Sequence, residues 1–75
     1  MKTKKQILDN PKLGVGTLLW DWEQAKILRS HGTITEADLR MIFRRLLLHF
    51  TLMDGRESDL AVVQLQKDAE RIGVF

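Results

Sequence analysis

The sequence contains no cysteine and only one proline, and it has no long hydrophobic run. Without cysteine, neither disulfides nor thiolate zinc sites can stabilise the fold. The longest aliphatic run, Leu46-Leu47-Leu48, is far shorter than the roughly 20 residues of a transmembrane helix. No apolar segment of signal-peptide length follows the lysines near the N-terminus. We therefore expect a cytoplasmic protein that makes no membrane contact.

The length of the chain limits it to one hydrophobic core. With 75 residues, the sequence predicts a single helical domain over residues 1–75. Hydrophobic residues make up 44% of the chain and charged residues 29%, which indicates a globular protein rather than a disordered one. A chain this short buries only about 60% of its unfolded surface. Its stability must therefore come from close helix packing or from association with another chain.

Four turn signals divide the sequence, and the alternation typical of strands is weak throughout. They are Asn10-Pro11, Gly14-Val15-Gly16, His31-Gly32 and Asp54-Gly55. We predict a short helix over residues 3–9 and long helices over residues 17–31, 35–53 and 58–72. The predicted fold class is all-α, a compact bundle or orthogonal array of three main helices plus a short N-terminal helix.

The ends of these helices carry recognisable signals. Thr3 and Gln6 have the spacing of a capping box. Gly32 and Gly73 are placed to end the second and fourth helices, and Val74 and Phe75 are expected to fold back after Gly73. The predicted N-caps of the three long helices are Thr17, then Thr33 or Thr35, and Ser58.

The third helix is apolar on two sides. At about 100° per residue, a broad stripe that we expect to face the core comprises Leu39, Ile42, Phe43, Leu46, Leu47, Phe50 and Met53. A second stripe on the opposite side comprises Ala37, Met41, Leu48 and Leu52. A helix with two apolar faces is either sandwiched between neighbours or exposed to a partner.

The two tryptophans of the second helix point to different sides. Trp22 is expected in the core, whereas Trp20 and Ile27 lie nearly opposite. Tryptophan is enriched at interaction hot spots, so this pair is a candidate anchor for a partner. The alternative is that Ile7 and Leu8 of the first helix cover Trp20.

The fourth helix has a simpler pattern. Its predicted buried face comprises Ala61, Val62, Leu65, Ala69 and Ile72. Its predicted outward face comprises Gln64, Lys67, Asp68, Glu70 and Arg71. This single apolar face is what packing against a core requires.

Signatures of catalysis and of metal binding are weak. His31 and His49 lack a second ligand three or four residues away on the same helix. Gly14-Val15-Gly16-Thr17 lacks both the preceding strand and the Gly-Lys-Ser/Thr of a phosphate-binding loop. We expect no catalytic residue, no metal site and no cofactor, and hence a protein that is not an enzyme.

The surplus of apolar helix surface predicts a non-enzymatic protein-protein interaction module, such as a small regulator, inhibitor or adaptor. It would act as a homodimer or docked on a larger partner. The predicted partner-binding residues are Trp20, Ile27, Met41, Leu48 and Leu52. The alternative is a small basic nucleic-acid-binding protein, with contacts from Lys2, Lys4, Lys5, Arg40, Arg44 and Arg45. The net charge of +2 does not by itself favour that alternative.

Overall fold

A computed structural model describes residues 3–9, 14–53 and 55–75. Within these ranges there are four helices and no strand, which confirms the predicted all-α fold class. The helices are α1 (Lys4–Leu8), α2 (Val15–Ser30), α3 (Glu36–Leu52) and α4 (Arg56–Ile72). None of them is long and apolar enough to cross a membrane. The predicted turn at Asn10-Pro11 lies outside the described residues, as does Asp54.

Reciprocal side-chain caps begin two of the helices. At α1, the amide of Gln6 donates to Thr3 Oγ1 at 3.2 Å and the amide of Thr3 donates to Gln6 Oε1 at 2.9 Å. The same arrangement links Thr35 and Asp38 at the start of α3, with both bonds at 3.1 Å. These bonds satisfy amides that the helix itself leaves unpaired. The capping box at Thr3 is thus confirmed, and Thr35 rather than Thr33 caps α3.

The predicted N-caps of the other two long helices are wrong. The second helix begins at Val15, with Gly14 as its N-cap, so Thr17 lies inside the first turn. Val15 packs against the core, and this contact offsets the weak helix propensity of the flanking glycines. The fourth helix begins at Arg56, and Ser58 lies in its first turn. The buried Ser58 hydroxyl is within hydrogen-bond distance of the carbonyl oxygens of Met53 and Gly55, at 3.1 and 2.9 Å.

Glycines end α2 and α4 as predicted. Gly32 has φ 75° and Gly73 has φ 86°, a left-handed conformation that costs glycine nothing. Around Gly73, the amide of Val74 donates to the carbonyl of Ala69 at 3.0 Å. This reversal buries Val74, whereas Phe75 stays largely exposed with its ring 5.3 Å from that of Phe43.

The core lies where the three long helices meet, since each of them contacts the other two. The largest apolar side chains with almost no exposure are Trp22, Phe50, Leu18, Ile42 and Leu65. α1 closes one side of this core by inserting Ile7 and packing Leu8 against α2 and α3. On the predicted core face of α3, five residues are buried, namely Leu39, Ile42, Phe43, Leu46 and Phe50. The other two, Leu47 and Met53, are partly buried against the core.

Candidate protein-interaction surface

The second apolar stripe of α3, Ala37, Met41, Leu48 and Leu52, is called the outer stripe below. All four residues are exposed, with 51% of Met41, 57% of Leu48 and 74% of Leu52 open to solvent. The five buried residues of the same helix lie on the opposite side, each 3% exposed or less. No described part of the chain covers the outer stripe, so α3 is not sandwiched between neighbours within one copy of the protein.

Two arginines occupy the middle of the outer stripe. Arg44 and Arg45 lie between Met41 and Leu48 in the sequence, and at 100° per residue they flank the midline of the stripe by about 50° on either side. Both are exposed, and neither pairs with an acidic side chain among the described residues. The centre of the stripe is therefore positively charged and its two ends are apolar.

The acidic groups of α3 are at its N-terminal end and already have partners. Glu36 Oε1 lies 3.3 Å from Arg40 Nη2 one turn away. Asp38 Oδ1 lies 3.3 Å from Lys4 Nζ of α1. The backbone amide of Thr35, together with Lys4, holds the pKa of Asp38 below its ordinary value. Glu36 and Asp38 thus already have partners within the protein, and neither of them neutralises the charge of Arg44 or Arg45.

The second predicted anchor, Trp20 with Ile27, lies on the outward side of α2. Trp20 is 59% exposed, so the alternative in which Ile7 and Leu8 of α1 cover it is wrong. Ile27 is exposed to a smaller extent, at 38%. Because the buried sides of α2 and α3 face a common core, their outward sides diverge. The structure therefore does not bring Trp20 and Ile27 together with the outer stripe.

A groove between α2 and α4 lies beside Trp20. It is lined mainly by Leu19, Trp20, Trp22, Glu23, Lys26, Gln64 and Asp68. On its floor, Trp22 Nε1 donates to Asp68 Oδ2 at 2.7 Å and Lys26 Nζ lies 2.5 Å from the same oxygen. Arg71 binds the other carboxylate oxygen of Asp68. Asp68 was expected to face outward, and it instead joins α4 to α2.

The charged side chains on the floor of this groove form ion pairs with each other. Burial alone raises the pKa of Asp68, but the hydrogen bonds from Lys26, Arg71 and Trp22 outweigh it and lower that pKa to about 2. Burial alone lowers the pKa of Lys26, and its bonds to Asp68 and Glu23 reverse this and raise that pKa. Neither group suits general-base catalysis at neutral pH, because the low pKa of Asp68 makes it a weak base and Lys26 stays protonated. The cluster stabilises the packing of α4 on α2.

Sequence reasoning missed two features, an exposed apolar pair on α4 and two buried polar residues on α2. Leu60 and Val63 of α4 are 62% and 49% exposed on the side opposite the core. Their i, i+3 spacing is the sequence signal for this pair, but the charged residues around them conceal it. Asp21 and Gln24 of α2 are buried, although their residue types predict exposure. No signal in the sequence distinguishes them from other polar helix residues.

The predicted nucleic-acid contacts do not form one unpaired basic patch. Lys4 and Arg40 are engaged by Asp38 and Glu36, as described above. Lys5 is exposed on α1, and Lys2 lies outside the described residues. Among the described residues, no three His, Asp or Glu side chains are grouped so that they could hold a metal ion. His31 follows α2, and His49 lies in the last turn of α3.

No protein-family model, curated protein or solved structure matches this chain.

Proposed function

We propose that this protein is a protein-protein interaction module that binds its partner through the outer stripe of α3. The observation that carries the proposal is the exposure of Met41, Leu48 and Leu52 on a helix whose other face already forms the core. Isolated exposed leucines are common on protein surfaces, but a row of apolar side chains on one helix face is a frequent docking surface. A partner that binds such a face contacts apolar side chains spaced along one side of the helix.

The geometry also favours binding over catalysis at this surface. The outer stripe lies on a convex helix face, whereas catalytic sites are concave. Along the helix it spans about 22 Å at 1.5 Å per residue. A regulator, inhibitor or adaptor would use such a face to occlude or to hold a partner.

The decisive experiment compares two leucines that are exposed to a similar extent on different helices. Leu48→Asp places a charge within the outer stripe, and Leu60→Asp makes the same chemical change on α4. Association is measured by light scattering over a range of protein concentrations and by capture of partners on the immobilised protein. We expect Leu48→Asp to abolish association and Leu60→Asp to retain it, with the helical circular dichroism of both variants unchanged.

Two results would contradict the proposal. Self-association or partner capture by the wild-type protein that Leu48→Asp retains in full would exclude the outer stripe as the binding surface. Loss of helical structure in Leu48→Asp, with Leu60→Asp still folded, would show that Leu48 contributes to the fold rather than to an interface.

Nucleic-acid binding is a second candidate, and the observation in its favour is the exposure of Arg44 and Arg45, which have no acidic partner among the described residues. Two phosphate contacts correspond to a change of about −2 in log K per tenfold rise in salt. Titration of labelled DNA at several salt concentrations measures this slope. Absence of binding at low salt would remove the candidate.

A further inference from the structure

The charges on the outer stripe distinguish between a second copy of this chain and a different partner. The apolar residues of the stripe are symmetrical about the midpoint between residues 44 and 45. Ala37 and Leu52 lie equally far from this point, as do Met41 and Leu48. In an antiparallel two-fold pair of α3 helices, Met41 would contact Leu48 of the second copy and Ala37 would contact its Leu52. Judged only by the spacing of its apolar residues, the outer stripe is complementary to the outer stripe of a second copy.

The same register places four arginines at the centre of the pair. Arg44 and Arg45 of one copy would face Arg44 and Arg45 of the other, with no carboxylate beside them. A parallel two-fold pair would set Arg44 of one copy beside Arg45 of the other. Like charges brought together at an interface oppose association. The charge pattern therefore disfavours both symmetrical pairs.

Shifting the antiparallel register to pair Asp38 with Arg44 relieves this repulsion only with loss of the apolar contacts. Sliding one copy until its Asp38 lies opposite Arg44 moves Leu48 and Leu52 beyond the N-terminal end of the facing α3. Asp38 would also have to give up its bonds to Thr35 and Lys4, which cap α3 and hold α1. The two symmetrical pairs and this shifted register thus fail to satisfy the arginines and the apolar residues at once.

We infer that the occupant of the outer stripe is an acidic amphipathic helix of another protein. It carries two pairs of apolar residues separated by about 10 Å, matching the Met41-to-Leu48 spacing at 1.5 Å per residue. Carboxylates lie between these pairs and meet Arg44 and Arg45. Arginine and carboxylate form forked hydrogen bonds, so this arrangement adds specificity as well as attraction. The inference rests on the proposed function, since it names the partner chemistry of the same surface.

The chain itself supplies a suitable probe. The double variant Arg44→Glu/Arg45→Glu has the same apolar spacing with carboxylates at the centre, and is therefore a partner of the inferred kind. Glutamate is a good helix former, and both positions are exposed, so the variant is expected to fold. Sedimentation velocity is recorded for wild-type protein, for the variant and for their equimolar mixture, at about 10 mM and about 1 M salt.

We expect each protein alone to sediment as a monomer of 8.7 kDa and the mixture at low salt to sediment at twice that mass. At high salt the complex should weaken about tenfold or more, because the screening length falls below the separation of the charges. Adding Leu48→Asp to either component should abolish it. As a control, Arg29→Glu/Arg56→Glu changes the net charge equally on exposed residues of other helices and should form no complex with wild-type protein.

The outcomes that overturn the inference differ from those that overturn the proposed function. A wild-type dimer that Leu48→Asp converts to a monomer would make a second copy the occupant, with the interaction surface retained. A mixture that remains monomeric would also overturn the inference, whatever partner the capture experiment finds. If the double variant does not fold, Arg44→Gln/Arg45→Gln replaces it. Removal of the repulsion should then produce self-association that wild-type protein lacks, and monomeric behaviour would overturn the inference.

Discussion

Helices α3 and α4 are both 17 residues long and pack against each other, yet their outward faces differ. On α4, the exposed Leu60 and Val63 lie among Lys67, Glu70 and Arg71, which carry charges of both signs. On α3, the exposed apolar residues are more numerous, and the unpaired charges among them have one sign. Packing against a common core accounts for one apolar face on each helix. The outer stripe of α3 exceeds that requirement, and this excess is the basis for proposing it as an interaction surface.

The largest expected effect tests whether the two faces of α3 have different roles in stability. Leu46 is 3% exposed and Leu48 is 57% exposed, so two leucines on one helix differ mainly in burial. Leu46→Ala should lower the free energy of unfolding by about 2–5 kcal/mol, because it removes buried methyl groups and leaves a cavity. Leu48→Ala should change it by about 0.5 kcal/mol or less.

Urea denaturation followed by circular dichroism measures both values. For a chain of 75 residues, total stability is roughly 4–11 kcal/mol, so Leu46→Ala alone could unfold much of the population. Similar losses for the two variants would mean that Leu48 is buried in solution and that the outer stripe is covered.

A smaller effect on the free energy of unfolding, which depends on pH, is expected at the polar residues of α4. It distinguishes residues that stabilise the fold from residues that only face solvent. Asp68→Asn should reduce stability by roughly 1–2 kcal/mol at neutral pH, because Lys26 and Arg71 lose their anionic partner. The folded pKa of about 2 lies below the ordinary 3.8, so the contribution of Asp68 is present above pH 4. It is lost as the pH falls through 2.

Glu70→Gln is the matched control, because Glu70 is exposed on the same helix and forms no ion pair with a described residue. The difference between wild-type protein and Asp68→Asn is measured by chemical denaturation from pH 2 to pH 7. A difference that stays constant over this range would mean that the carboxylate charge of Asp68 does not stabilise the fold.

The smallest expected effect on stability tests where helices α2 and α3 begin. Thr35→Ala should cost about 1 kcal/mol, because two amides at the start of α3 lose or weaken their partners. Thr17→Ala should leave stability unchanged or slightly raise it, since Thr17 lies inside the first turn of α2 and alanine is the better helix former. Thermal unfolding of the two variants measures this contrast. A loss on Thr17→Ala as large as that on Thr35→Ala would contradict the observed start of α2.

The helical segments and the core face of α3 were predictable, because both depend on residues a few positions apart. The Thr3 capping box and the turns at Gly32 and Gly73 are local geometry of the same kind. The starts of α2 and α4 were misplaced by about two residues. There, packing of Val15 and hydrogen bonding of Ser58 outweighed the local capping preferences.

The sequence by itself determined that α3 has two apolar faces, since a periodicity of 3.6 residues is a property of the chain. Only the tertiary structure decided that one of these faces remains uncovered. The short helix α1 could have packed on either Trp20 or the core, and it inserts Ile7 into the core. The Trp22–Asp68–Lys26 cluster likewise joins residues more than 40 positions apart. Such contacts form only when distant helices meet, and no local pattern encodes which of them will do so.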